Sequence, residues 1–93
     1  MNPELEKLRL EIAEKFFYSF MLPIGVNEGD FGHHTYFSFN QDEAICMLEL
    51  NKPYQNQSTI MFKVVFHPGK SQIKEAFFHD ISLVIPKKYQ KIA

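Results

Sequence analysis

The stretch from Ser58 to Pro68, STIMFKVVFHP, constrains this chain more than any other. Taken alternately, it places Ile60, Phe62, Val64 and Phe66 on one side and Thr59, Met61, Lys63, Val65 and His67 on the other. Period two in β-branched and aromatic residues is the mark of a strand. The first side is wholly apolar and has to be covered. The second mixes Met and Val with Lys and His, as in antiparallel sheets with one face half covered or turned to solvent.

A cover for the apolar side is written at the amino end. Asn2 can cap free amides, Pro3 suits a first helical turn, and the early acids Glu4 and Glu6 suit the helix dipole. Leu5, Leu8, Ile12, Phe16 and Phe20 keep helical spacing, joined by Ala13 and Phe17, so the spacing predicts an amphipathic helix over 3–21 with a face wide enough to lie across a sheet. Arg9 interrupts that face. Its aliphatic stem is expected to run along the helix edge with the cation at the rim, and Glu6 is the nearest carboxylate.

Pro23 and Gly25 end the helix and open a loop over 22–34 whose glycines precede no GKS or GKT, so it is no phosphate cradle. Alternation then predicts strands over about 35–40, 44–51, 58–67 and 77–85, the second with Cys46, Leu48 and Leu50 opposite Ile45, Met47 and Glu49. In the last of these His79 is expected on the core side with Ile81, Leu83 and Ile85. Residues 70–76 read either as extended or as one helical turn, and 86–93 read as a short basic tail without fixed order. The expected fold is α+β: one domain over 1–93, with an amino-terminal helix packed on one face of a four-stranded antiparallel meander. The other face, carrying Ile45, Met47, Met61 and Val65, is then a docking surface or a homodimer contact unless the loop or tail covers it.

Composition narrows the chemistry. The chain has 93 residues, too few for two cores, and its ten Phe and four Tyr compensate for that size, since each buried aromatic covers roughly 150–250 Å². The single cysteine, Cys46, has no intramolecular disulfide partner and sits in an apolar run, which predicts a buried thiol in a reduced compartment, the cytoplasm. No apolar run is long enough to span a membrane, and the charged amino end has no signal-peptide core. The net charge of −1 conceals a segregation. Residues 16–51 hold no Lys or Arg while Glu28, Asp30, Asp42, Glu43 and Glu49 fall there; from Lys52 onward seven lysines face only Glu75 and Asp80.

Of four histidines, His33 and His34 are adjacent, and His67 and His79 flank the expected last hairpin as weak metal candidates. Their alternation puts them on opposite faces, and no H-x-x-H, C-x-x-C or H-E-x-x-H spacing occurs, so no cofactor or metal is expected. The pairs Asp30–His34 and His79–Asp80 lack a geometry for general base and orienter, and no nucleophile elbow is present, which argues against an enzyme. The lysines with interspersed aromatics suggest single-stranded nucleic acid, but the one arginine lies in the helix, the Phe residues alternate as core and the charge is negative; solvated lysines are the expectation.

The run AICMLELNKPYQNQSTIMFKVVFHPGK, an apolar strand ending in a polar loop and resuming in a Phe-rich strand, resembles small helix-plus-sheet immunity proteins of bacterial polymorphic-toxin and contact-dependent inhibition systems. The resemblance covers about half of the chain and lies in pattern, so no family residue carries over. It implies a cytoplasmic binder that occludes a basic toxin domain through acidic surface residues. Glu28, Asp30, Asp42, Glu43 and Glu49, with Met61 and Val65 on the open sheet face, are the candidate contact residues for such a partner. The alternative expectation is a homodimeric structural subunit associating through that face.

Overall fold

The computed structural model describes residues 2–32 and 36–90. His33, His34, Thr35 at the expected start of the first strand, and 91–93 of the expected tail lie outside the described residues.

Helix α1 spans Pro3–Met21, as the spacing predicts. The Asn2 side-chain oxygen accepts from the Glu4 amide at 2.9 Å, satisfying one free donor of the first turn. The helix ends where Gly25 takes a φ of +86°, a conformation that favours glycine, and the Val26 amide returns to the Met21 carbonyl at 3.1 Å. A short 3₁₀ turn, Glu28–Asp30, follows.

Among the described residues five strands then form one antiparallel meander in chain order: β1 Tyr36–Asn40, β2 Glu43–Tyr54, β3 Gln57–Phe66, β4 Ile73–Phe78 and β5 Ile81–Ser82. Tight turns fix the register. Gln55 and Asn56, with φ of 48° and 64°, make the primed turn that matches strand twist between β2 and β3. Gln41 does similar duty between β1 and β2 with a φ of 55°.

The sheet differs from the expected four strands at its carboxyl side. The fourth strand is Ile73–Phe78 and not 77–85, and His79 is not a core-facing strand residue. With Asp80 it makes a two-residue turn at a φ of 54°, returning the chain as β5. Lys74 is an extra residue in β4, since Val65 pairs with Glu75 while Phe66 pairs with Ile73. That bulge breaks the alternation by which a strand announces itself. The carboxyl segment also differs: Lys87–Gln90 forms a single turn of helix, α2, and Tyr89 is only 5% exposed, its ring stacked on Phe16 at 5.2 Å.

Both helices lie on the same side of the sheet. Ile60, Phe62, Val64 and Phe66 from β3, Ala44, Cys46, Leu48 and Leu50 from β2, and Ile73 and Ala76 from β4 are buried against Ile12, Ala13, Phe16, Phe17 and Met21. Phe62 is the hub, with the rings of Phe17, Phe16, Phe20 and Phe37 at 5.3, 5.5, 6.1 and 6.4 Å. The Phe20 ring is stacked and the other three meet Phe62 edge to face, and such contacts add about 0.5–1.5 kcal/mol each beyond the burial of area. Among the described residues no helix is long and apolar enough to cross a membrane.

Candidate protein-binding surfaces

Because side chains alternate along strands, burying one face of the sheet dictates what the other displays. Register assembles it in rows. Tyr36, Met47 and Met61 lie side by side on β1, β2 and β3. The next row is Ser38, Ile45, Lys63, Phe77 and Ser82; the third is Asn40, Glu43, Val65 and Glu75. Neither helix covers this face. Tyr36 is 63% and Met47 46% exposed, while Ile45, Met61, Val65 and Phe77 are half-buried by one another. The Lys63 ammonium lies 4.9 Å from the Phe77 ring centre, so the cation of this row is folded over an aromatic instead of standing free. From strand spacing and rise, the apolar part of the face covers roughly 300–400 Å².

The candidate acids do not gather into one cluster. Glu43 stands on the outer face at the turn end of β2. Glu49 stands on the same face, six residues away or about 20 Å along the strand. Glu28 and Asp30 are near the Glu49 end, because Phe31 bridges to Leu50 and the Gly32 amide donates to the Glu49 carbonyl at 2.6 Å. Asp30 is partly used locally, accepting from the Asn27 amide at 3.2 Å. Glu75, which pairs across Val65 from Glu43, belongs to this surface and was hidden from sequence reading by the bulge at Lys74.

Asp42, another of the candidate contact residues, is tied into the fold. It accepts from Arg9 Nη2 at 3.1 Å, and Arg9 is 1% exposed, buried outright instead of lying along the helix edge beside Glu6. Arg9 Nε also donates to the Lys70 carbonyl at 2.8 Å, Nη2 to the His67 carbonyl at 3.1 Å and Nη1 to the Gln41 carbonyl at 3.4 Å. Its guanidinium carbon is 4.8 Å from the Phe66 ring centre. A planar five-donor fork suits such a spread of acceptors, as an ammonium would not. Arg9 therefore pins the helix to two turns, and Asp42 is engaged in the fold.

The histidine pair is not brought together. His67 follows β3, whereas the His79 amide donates to the Met61 carbonyl at 2.8 Å, placing the two about six strand residues, or about 20 Å, apart. They cannot share an ion. Among the described residues no group of three His, Cys, Asp or Glu side chains is placed to hold a metal. The Nε2 of His79 is buried beside Phe78, ring centres 4.9 Å apart, and has no hydrogen-bond partner among the described residues. Cys46 is a free, fully buried thiol whose burial, with a smaller effect of Glu14, pushes its pKa up to about 12. Such a thiol is inert as a nucleophile or ligand.

No family model matches the chain, and comparison with curated proteins and with solved structures finds no match.

Proposed function

We propose that this chain is a non-enzymatic protein-binding module, an immunity-like inhibitor of the reducing cytoplasm that docks its uncovered sheet face on a basic toxin or enzyme domain and occludes it. The observation that carries this reading is the composition of that face: an apolar centre of Tyr36, Met47, Met61, Ile45 and Phe77 with Glu43, Glu49 and Glu75 around it and the central Lys63 turned onto Phe77. Apolar centres supply the desolvation that holds a complex, and Met adapts to irregular partners. Surrounding carboxylates speed encounter with a positive surface. The buried, unpaired Cys46 suits a reducing compartment.

The test combines recovery with reconstitution. The tagged chain is recovered from its source cells under gentle washing and examined by native mass spectrometry, and any stoichiometric partner is purified and returned to it. The expected partner is basic and loses its activity when bound. Met47→Arg is expected to weaken the complex by at least about tenfold, the effect of truncating a binding hot spot, and Glu43→Lys with Glu75→Lys to slow association by about tenfold at low salt. Asp42 is left intact, because its carboxylate holds Arg9. Unchanged affinity in both variants would reject this face, and a bare homodimer split by Met47→Arg would replace the inhibitor with a self-associating subunit.

A further inference from the structure

The geometry points to a second binding site, at the free edge of β1 and the groove between that edge and α1, which takes an extended peptide segment with apolar and basic residues as an added strand. This surface is distinct from the outer sheet face and its test is independent of it.

Hydrogen-bond parity identifies the free groups. The two-residue turn at Gln41 and Asp42 makes Asn40 and Glu43 a bonded pair, so alternation makes Ser38–Ile45 and Tyr36–Met47 bonded pairs too. The Phe66 amide donating to the Asp42 carbonyl at 2.8 Å confirms that the even residues of β2 face β3. The amides and carbonyls of Phe37 and Phe39 therefore point away from β2, and among the described residues no strand pairs with them.

The two edges of the sheet are treated differently. β5 is only two residues long and is bounded by Asp80 and Pro86. β1, Tyr-Phe-Ser-Phe-Asn, has no charge, no proline and no bulge, the devices by which edges are kept from pairing. Beside this bare edge, on the helix side, is a hollow of about 250 Å³ lined in part by Leu10, Glu14, Phe17, Tyr18, Tyr36 and Phe37. That is below the ~300 Å³ at which pockets for drug-sized ligands begin, and it suits one side chain. A residue added opposite Phe37 would project its side chain to the same face as Phe37, into this hollow. Tyr18 continues it into a neighbouring hollow lined in part by Leu22, Glu28 and Phe31.

Charge selects the flanking residues. Glu14 and Glu28 line the two hollows, and the Tyr18 phenol between them is held above its ordinary pKa by burial and then by these carboxylates. Neither has an ion-pair partner among the described residues. Strand addition with main-chain bonds for affinity and pockets for alternate side chains is a known mode of peptide recognition.

The probe is the peptide Ac-Thr-Lys-Thr-Val-Thr-Lys-Thr-NH2, which presents Lys, Val and Lys on one face, titrated into the ¹⁵N-labelled protein. The Phe37 and Phe39 amides are expected to shift and exchange more slowly, with a dissociation constant at or below about 1 mM. Glu14→Lys, on the exposed side of α1, is expected to keep the fold by circular dichroism and weaken binding at least about tenfold. N-methylation of the valine nitrogen is expected to abolish binding, since that nitrogen donates to the Phe37 carbonyl. Unmoved Phe37 and Phe39 amides, or equal binding by the N-methylated peptide or by the analogue with Glu for Lys, would overturn the proposal. So would protection of those amides that rises with protein concentration alone, which would assign the edge to a second copy.

Discussion

Replacing Arg9 by methionine tests the most unusual feature of the core. The substitution keeps an unbranched apolar stem and deletes the guanidinium, with its place over the Phe66 ring and its four donor contacts, to the carbonyls of Lys70, His67 and Gln41 and to the Asp42 carboxylate. Removing one member of a fully buried ion pair costs about 3–5 kcal/mol. Asp42 is 39% exposed and can rehydrate, and the three carbonyls lie at exposed turns, so about 2–4 kcal/mol is expected from hydrogen bonds to a charged donor. A chain of 93 residues has a total stability of roughly 5–14 kcal/mol, and the variant still folds. Its thermal midpoint falls by roughly 10–25 °C. Urea titration followed by far-ultraviolet circular dichroism is the assay, since the chain has no Trp. Asp42→Asn is the control: it keeps an acceptor and loses only a partly exposed charge, so it costs about 1 kcal/mol or less. Equal costs for the two variants would refute the assignment of Arg9 as a clasp for backbone carbonyls and leave only an ion pair. A loss under about 1 kcal/mol for Arg9→Met would refute the clasp altogether.

Tyr89→Ala removes a buried ring stacked on Phe16 and is expected to cost about 2–4 kcal/mol by the same titration, as large-to-small core changes do; no loss would return the carboxyl segment to the status of a tail. The buried Cys46 thiol is expected to resist alkylation in the native state at pH 8 and to react fully in urea. Its folded pKa of about 12 lies above the ordinary thiol value, so its contribution to stability is complete below the unfolded pKa and declines as pH rises from about 9 towards about 12. Cys46→Ala, compared with the natural chain by urea titration across that range, is expected to lack this decline. His79→Gly relieves a φ of 54° and a buried nitrogen without a partner among the described residues and is expected to stabilise by about 0.5–1 kcal/mol; a lower thermal midpoint would show that the ring's contact with Phe78 outweighs both.

What could be read from the residues follows a physical divide. Helix α1 and the apolar sides of β2 and β3 are local statements of period and capping, and Asn2, Pro3 and the alternation from Ile60 to Phe66 make them without help from the rest of the chain. β4 was missed because Lys74 adds a residue and leaves Lys74 and Glu75 both exposed between Ile73 and Ala76. The turn at His79 was missed because neither of its two residues is a glycine or an asparagine; it reverses the parity of an uninterrupted strand, so that Phe78 and Ile81, three positions apart, pair on one face. α2 has four residues, too short for period to register, and what fixes Tyr89 is a ring 73 positions earlier. The candidate surface divides similarly. Met61 and Val65 could be placed on the open face from alternation alone, but Glu75 could not, and no local rule assigns Asp42 to an arginine 33 residues away.

The contacts of Arg9 also bear on time. Every neighbouring pair of strands is joined by a short connection, so the meander can zip from its turns by closures of low entropic cost. Arg9 instead reaches acceptors 32, 33, 58 and 61 residues away, and these come within range only when α1 has docked and both the β1–β2 and β3–β4 turns are in place. A contact that forms after the rate-limiting step leaves the folding rate alone and governs escape from the native state. In kinetic terms the guanidinium is a bolt on the unfolding door: its loss would appear in the unfolding limb of a chevron plot, shortening the lifetime of the folded chain without slowing its assembly.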